Sequence, residues 1–586
     1  MPFKVVALIS GGKDSFFSLL HTLANGHEVV ALANLHPPEE AEEEDMNSYM
    51  YQTVGHGVIP LYSRALGLPL YRQVIKGTAV HTGRDYPDPS LSKAEEDETE
   101  SLIPLLTKVH ANHPEINALC TGAIFSTYQR TRVENVARRM GLVSLAWLWH
   151  YPFLPSDQPN SNASLLHDLS HAGLDARIIK LASGSLPASL LWSSVSDTRI
   201  INQLTTETRK FSGEAGAVLG EGGEYETLVI RGPAPTWKFD ISVTNIQACI
   251  PEGGGGISRV KVHEPRLIPK QNPKTGTVRK ISLWDKKFHE IIKSIEDVVT
   301  FPEPIPQDPP LQGHILEVHT SRDTALPAAE QLREIFSRIH FVDAIVQIIL
   351  ILRNMSLLLS LEPVLEDVFP TSPPTRITFA NSEHLPPGCE VGVYLPSATN
   401  SSREALQIHS RSYWAPAAEG WFSQSVTTTR PGGEGKTIYL SACTGLIPRT
   451  MRLIEGSFAR EAALALQNSL RVGKGVGLKT PTAGAVFLID GKEEGLCGFI
   501  WKEAFSASQF QKESENFDIW DLKYNSHKRI FGGVFAEEEE GGIVPPLWVI
   551  KVSSLPNNAR VSWSIWGGTD PDWNVIKTLV STTLSS

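Results

Sequence analysis

The stretch KVVALISGGKDSFFSLLHTLANG, residues 4–26, decides the fold. Residues 4–9 are a short apolar run of the kind that fits a parallel strand buried on both faces. A Gly-Gly turn follows. Phe16, Phe17, Leu19, Leu20 and Leu23 then recur at helical spacing, and Gly26 stands where a helix stops. A buried strand, a glycine turn and an amphipathic helix open an α/β domain.

The same alternation continues outward. Residues 28–35 and 70–75 read as strands, with a helix at 58–66 between them. Residues 94–111 read as a helix with an acidic start, which Pro104 kinks or divides. A strand at 116–121, a helix at 128–140 and a strand at 143–149 follow. This order predicts a doubly wound parallel sheet with right-handed crossovers over residues 1–237. Residues 238–312 hold GGGG at 253–256 and PEPIPQDPP at 302–310, and are expected to be linker or irregular structure. Two further α+β units are expected, at 313–398 and 405–586. Segment 503–518 and Glu537–Glu540 have the look of surface insertions.

The 586 residues carry 53 Lys and Arg against 64 Asp and Glu, a net charge of -11. That balance disfavours direct nucleic-acid binding as the main role. The 5 cysteines form no C-x-x-C pair, which points to a reducing, cytoplasmic compartment. Residues 341–361 are the most apolar stretch, but Asp343 and Arg353 interrupt it. A buried strand and a second buried element are expected there rather than a membrane span.

The turn Ser10-Gly11-Gly12-Lys13-Asp14-Ser15 lies at the carboxyl end of a predicted strand, where open parallel sheets bind ligands. Its glycines let backbone N–H groups face inward, and the helix behind it adds a positive end. Ser10 and Ser15 contribute hydroxyls, and Lys13 contributes a point charge for phosphate. Asp14 repels bare phosphate, so it suits a neighbouring magnesium ion or a brace within the loop. The spacing is not that of a Walker A loop.

The S-G-G-x-D-S pattern resembles that of the PP-loop (HUP-like) ATP pyrophosphatases. YMYQTVGH at 49–56, EEDETESL at 95–102, GAIFSTYQRTRVEN at 122–135 and GEGGEYETLV at 220–229 narrow the choice. With the loop, they resemble the ATP-binding domain of the diphthine–ammonia ligases over residues 3–235. The resemblance implies adenylation of the diphthine carboxylate on elongation factor 2, loss of pyrophosphate, and attack by ammonia to give diphthamide and AMP. Its implied cofactors are ATP and Mg2+, with the metal ligands left open. Ser10 to Ser15, Asn34 and Gly122 are the implied nucleotide contacts. Asp14, Glu221, Glu224, Glu226 and Arg130 are the implied catalytic groups. Tyr49, Gln52, His56, Tyr128, Gln129, Gly222, Gly223 and Tyr225 are the implied substrate contacts.

Residue chemistry leaves several roles open. The turn Gly220–Thr227 suits magnesium, a trimethylammonium group, or protons from ammonia, and equally suits a polar turn closing a sheet edge. Arg130 or Arg132 suits α-phosphate charge, while Arg130 with Glu134 also makes an i,i+4 pair. His56 is as well suited to a structural place. Pro2 stands where an N-terminal nucleophilic cysteine belongs, so free ammonia is the expected donor.

The second half resembles reactive-intermediate deaminase (Rid, YjgF-like) domains. The signals are RNMSLLLSLEPVLEDVF and PPTRITFANSEHLPPGCEVGVYLP within 353–396, GWFSQS and TIYLSACTGLIP within 411–472, and PPLWVIKVSSLPNNARVSW at 545–563. The arginine of that family matches Arg376 in the first module and Trp548 in the second, and its motif tyrosine matches Phe422. These departures imply a role in assembly or recognition, with oligomers or internal pairing of the modules. Two other functions fit parts of the chain: a PP-loop enzyme modifying transfer RNA, and a Rid-type deaminase or binding protein with a regulatory nucleotide domain. The former usually carries paired cysteines and basic surface, which are missing from this sequence.

Overall fold

Val5, Val6 and Ala7 of β1 (Lys4–Leu8) are fully buried, as a strand covered on both faces requires. The computed structural model describes residues 2–38, 50, 54–86, 97–155, 163–182, 186–211, 216–251, 256–271, 275–296, 318–398, 402–429, 435–506 and 544–569. After β1 come α1 (Lys13–Ala24), β2 (Glu28–His36), α2 (Leu61–Leu66), β3 (Leu70–Val74), α3 (Leu102–Asn112), β4 (Ala118–Cys120), α4 (Thr127–Arg139) and β5 (Val143–Leu145). The strands form one parallel sheet in the order β3-β2-β1-β4-β5. The chain winds outward from β1 to β3 and then returns to β4 on the other side of β1. The strand order therefore reverses beside β1, and the crevice at such a reversal is where doubly wound sheets take ligands. Leu102, Leu105, Leu106 and Val109 of α3 pack with Ala31, Ala33 and Leu35 of β2 in this unit's core.

Local chemistry moves several boundaries. The helix expected at 58–66 begins as a single 3-10 turn, His56–Val58, and resumes at Leu61 after Pro60. The helix expected at 94–111 is divided at a 3-10 turn, Glu98–Ser101, and Pro104 falls in the first turn of α3, where its missing N–H is not needed. The strand expected to reach residue 149 stops at Leu145. There Arg411 N donates to Ser144 O at 2.9 Å, and Ala146 N donates to Arg411 O at 2.9 Å. Residues 410–414 thus run parallel to β5 and cover the edge of the sheet. Ser410 N donates to Glu134 Oε1 at 2.7 Å. The Tyr413 hydroxyl accepts from Asn25 Nδ2 at 2.6 Å and bonds to His21 Nδ1 at 2.9 Å.

A second sheet was not foreseen. It follows α5 (Ser164–His171) and uses β6 (Asp175–Leu181). After α6 (Thr198–Phe211) come β7 (Tyr225–Arg231), β8 (Phe239–Ser242), β9 (Asn245–Cys249), β10 (Ser258–His263) and β11 (Arg266–Pro269). Its order is β7-β6-β10-β9, antiparallel throughout, and β8 pairs with β11 separately. Residues 238–312 are therefore not irregular where described. Gly and Pro runs frame short strands such as SRVKVH, whose alternation they mask. Helix α7 (Lys286–Glu296) also lies in that interval, and buries Phe288 and Ile291.

The chain divides into two units: Met1–Ser282 with Ser410–Trp414, and Leu283–His409 with the described residues after Trp414. The second unit starts with α7. It continues through β12 (His319–Thr320), α8 (Ala328–Ser337), β13 (Gln347–Leu352), α9 (Leu358–Val368), β14 (Thr375–Ala380) and β15 (Val391–Tyr394). Then come β16 (Arg403–Leu406), β17 (Ser425–Thr429), β18 (Lys436–Leu440), β19 (Cys443–Thr444), β20 (Leu446–Ile447) and β21 (Arg452–Leu453). The last elements are α10 (Phe458–Gly475), β22 (Thr480–Leu488), α11 (Glu494–Phe505), β23 (Leu547–Lys551) and β24 (Val561–Gly568). The sheets β12-β15-β13-β14 and β16-β17-β18-β24-β22-β23 share one core, in which Phe379 stacks on Phe487 at 5.5 Å. The two expected modules are thus packed together within one unit.

The apolar stretch 341–361 becomes β13 and the start of α9, and no helix among the described residues is long and apolar enough to cross a membrane. Segment 507–518 and Glu537–Glu540 lie outside the described residues.

Tyr413→Phe strips a hydroxyl from buried His21 and half-buried Asn25. The first unit is expected to lose about 1–3 kcal/mol, read as a lower urea midpoint for its transition. An unchanged midpoint would show that the segment does not brace the sheet.

Candidate active site

Beyond β1 the backbone turns sharply at Gly11, whose φ of +93° lies in the glycine-favoured region. A Cβ there would sit 2.7 Å from Ile59 Cδ1. The turn closes on itself: Gly12 N donates to Ser10 Oγ at 3.2 Å, and Ser15 Oγ donates to Gly12 O at 2.9 Å. Helix α1 then starts with Gly12 at its N-cap, which has no side chain with which to cap it. The cap comes from far along the chain, where Thr227 Oγ1 of β7 accepts from Lys13 N at 3.0 Å. Val229 N of the same strand donates to Gly11 O at 2.8 Å, and the Tyr62 hydroxyl donates to Val229 O at 2.6 Å. On the other side, Gly122 follows β4. A Cβ there would come within 2.7 Å of the Asp14 and Ser15 backbone, so only glycine lets β4 end against the loop.

Acidic groups gather at this junction. Lys13 Nζ pairs with Asp14 Oδ2 at 2.8 Å, while Asp14 Oδ1 is buried without a hydrogen-bond partner. Burial raises the Asp14 carboxyl above its usual range, although Lys13 opposes the shift. Glu221 is pushed up to about 8, first by burial and then by the Asp14 carboxylate, with Glu224 adding to it. Lys13 and a hydrogen bond from the Phe125 backbone act in the other direction. Glu224 Oε2 accepts from Gly222 N at 2.9 Å. Among the described residues, no group of three or more His, Cys, Asp or Glu side chains is arranged to hold a metal alone. A magnesium ion does not require one, because it binds through one or two carboxylates together with phosphate oxygens and water. The bare Oδ1 of Asp14 fits that description.

The structure brings Ser10–Ser15, Gly122, Glu221, Gly222 and Glu224 to one place. It gives other expected residues different work. Glu226 pairs with Lys180 at 3.0 Å along the sheet. Tyr225 is buried, donates its hydroxyl to Val218 O at 2.7 Å, and has Lys13 Nζ over its ring at 5.6 Å. Its ring thus backs Lys13 and does not present a face to a substrate cation. Asn34 is engaged at both ends, donating to Ile9 O at 2.9 Å and accepting from Arg72 Nε at 3.1 Å. Arg130 is buried and forms the i,i+4 pair with Glu134 at 2.5 Å, its guanidinium over the Trp149 ring at 4.7 Å. That pairing neutralises the charge expected for the α-phosphate.

Arg132 lies over the Tyr128 ring and bonds the carbonyls of His81 and Gly83, so it fixes a loop. Burial raises the Tyr128 hydroxyl to about 12. Gln129 donates to Met50 O at 3.4 Å, and its N–H is capped by Ser126 at 3.2 Å. His56 is half-buried and opens its 3-10 turn after Gly55. Tyr49 and Gln52 lie outside the described residues. Sequence reasoning missed Thr227 as a cap, Tyr62 as a tie between loop and strand, and Lys180 as the partner of Glu226. Only Thr227 carried a signal, its place in the GEGGEYET segment.

A family model described as the diphthamide synthase N-terminal domain matches residues 3–144. The chain is 33% identical over 596 residues to the diphthine–ammonia ligase of Schizosaccharomyces pombe, covering 96% of this chain and 87% of the relative. The Saccharomyces cerevisiae enzyme of the same name is 28% identical over 615 residues, covering 95% of this chain and 82% of the relative. The Homo sapiens enzyme is 39% identical over 250 residues, covering 42% of this chain and 85% of its own. Among solved structures, a conserved Rid-family protein from Yersinia pestis matches 28% of this chain and 99% of its own at 17% identity, with a TM-score of 0.19.

Thr227→Val removes the acceptor for Lys13 N and is expected to cost about 1 kcal/mol of stability and to weaken nucleotide binding together. Calorimetric titration with ATP reads the second effect, and undiminished affinity would detach Thr227 from the loop. The enclosure of Glu221 has its own signature. The unfolded chain releases that proton near pH ~4.3, the folded one only near about 8. In between, the unfolded state is ionised while the native state still holds the proton. Stability therefore falls as pH rises through that window and levels off above it. Urea unfolding of nucleotide-free protein is expected to show this decline, flattened in Glu221→Gln. Equal slopes in both proteins would refute the enclosure.

Proposed function

The chain belongs to the diphthine–ammonia ligase family, which converts diphthine to diphthamide with ATP and ammonia, and from that premise we propose how its residues divide the work. The observation that carries the proposal is the facing of Asp14 and Glu221 beside Lys13, at the positive end of α1. The Ser10–Ser15 backbone, Lys13 and the helix end hold the β- and γ-phosphates and the pyrophosphate that leaves. Asp14 Oδ1 would hold Mg2+, which would supply positive charge to neutralise the phosphates. The substrate is the diphthine side chain of elongation factor 2, and a reducing cytoplasm suits the five unpaired cysteines.

The chemistry then balances in two steps. A diphthine carboxylate oxygen attacks the α-phosphorus, the bond to the bridging oxygen breaks, and pyrophosphate leaves. Ammonia attacks the acyl carbon, the acyl–oxygen bond breaks, AMP leaves, and the surplus proton passes to the Glu221 carboxylate. A carboxyl whose pKa lies near neutrality both takes and returns such a proton. The turn at Gly222–Gly223, exposed at Gly223, offers with Glu224 negative charge to the cationic head of diphthine. The second unit serves assembly or recognition of the protein substrate.

Ligation with diphthine-bearing elongation factor 2, ammonium and ATP is expected to yield AMP and pyrophosphate in step with the amide. ADP and phosphate as products would overturn the proposal. Asp14→Ala and Glu221→Ala are each expected to lower turnover about a hundredfold or more while the far-UV spectrum stays native. Near-normal turnover in either variant would remove that residue from the mechanism.

A further inference from the structure

Beside the phosphate loop, the carboxyl ends of β4 and β5 carry a group of aromatic rings that the nucleotide chemistry leaves unused. Phe125 lies in the connection that leaves β4, and His150 and Phe153 lie in the one that leaves β5. Both connections start on the side where a doubly wound sheet binds ligands. His150 has a φ of +53°, uncommon for a residue other than glycine, and its N–H donates to Ile124 O at 2.9 Å. This kink leads the chain into the 3-10 turn Tyr151–Phe153. It sets His150 and Phe153 side by side, with ring centroids 5.8 Å apart. The Phe125 ring lies 6.2 Å from His150 and 5.1 Å from Phe153. The Trp414 ring stacks on His150 at 4.2 Å, within 28° of parallel.

Two features separate this group from ordinary core. Phe125 and Trp414 are buried, yet His150 and Phe153 stay only half-buried. The group also adjoins the acidic end of the candidate site, because the Phe125 backbone N–H is the one that hydrogen-bonds Glu221. A half-open aromatic surface next to that carboxyl suits a flat ring on the same substrate. Diphthine carries such a ring, since it is a modified histidine whose imidazole is joined by a short chain to the carboxylate and the cationic group. We propose that His150 and Phe153 form a shelf on which the imidazole of diphthine stacks, and that they are specificity-determining residues for this substrate. With the cationic group at Glu224 and the carboxylate at the nucleotide, the ring is the part of the side chain left for the shelf. This assignment rests on diphthine being the substrate and on its carboxylate reacting beside Glu221.

The test is steady-state ligation by the full chain, with diphthine-bearing elongation factor 2 varied at saturating ATP and ammonium. His150→Asn removes the ring and keeps a residue that tolerates positive φ. Phe153→Leu removes the other ring and keeps apolar bulk. Each is expected to raise KM for the protein substrate about three- to tenfold, the loss of one stacked pair, with kcat within about twofold of wild type and KM for ATP unchanged. Phe153→Tyr retains a ring and is expected to retain the wild-type KM. Calorimetric titration with ATP and a thermal melt, both expected to match wild type, separate lost stacking from damage to the fold. With the wild-type enzyme making the amide, three results overturn the shelf: an unchanged KM for elongation factor 2 in both ring-removing variants, an equal rise in Phe153→Tyr and Phe153→Leu, or a parallel rise in KM for ATP. Absence of amide from the wild type would instead strike the substrate reading, and the shelf with it.

Discussion

The hydrogen bond from Lys13 N to Thr227 Oγ1 joins the two parts of the candidate site. Helix α1 begins after a glycine, so its first N–H groups have no local cap. An anion-binding turn needs some of them open, yet an end left wholly uncapped would fray. Strand β7 resolves this by capping one N–H from outside and taking the Gly11 carbonyl through Val229. The same strand begins just after the turn that carries Glu221 and Glu224. The phosphate end and the acidic end of the site are thereby two sides of one joint, separated by more than two hundred positions in sequence. Gly122 completes the joint from β4 by lying close enough to touch the loop backbone.

Charge at this joint is deliberately incomplete. One lysine faces a cluster of carboxylates; burial raises both Asp14 and Glu221, and the Asp14 carboxylate raises Glu221 further. Such an arrangement is costly to an empty protein, and on the proposed reading a cation arriving with a nucleotide would relieve it. It also sets Glu221 near neutrality, the range in which a carboxyl exchanges protons usefully. Tyr225, buried behind Lys13, lowers the polarity around the cluster and strengthens these interactions.

Much of this was legible because it rests on local patterns. The apolar run at 4–9, the glycine turn and the spacing of Phe16, Leu19, Leu20 and Leu23 are read within one window, and β1 and α1 formed where expected. The loop residues were legible for the same reason. What escaped depends on distant partners. The GEGGEYET segment marks Thr227 but not that its hydroxyl meets Lys13, and nothing near Leu145 reveals that its strand pairs along its edge with Arg411. Arg130 was ambiguous because an i,i+4 carboxylate and a phosphate satisfy a guanidinium equally well, and burial favours the pair already in the chain. Short strands between glycine runs, such as β10, were hidden because their alternation spans too few residues to stand out.

The two units treat buried charge in opposite ways, and the contrast bears on what each can do. In the first, Asp14 keeps an oxygen without a partner and Glu221 is crowded by like charge, so on the proposed reading an external cation with polyphosphate would lower the energy of the site. In the second, Arg376 already faces a carboxylate that a backbone N–H also holds, so an external anion gains only by displacing a partner tethered to the same chain. A tethered group competes at high effective concentration. Reactivity therefore follows incomplete pairing rather than the number of charged residues, and it concentrates at the turn between β1 and α1.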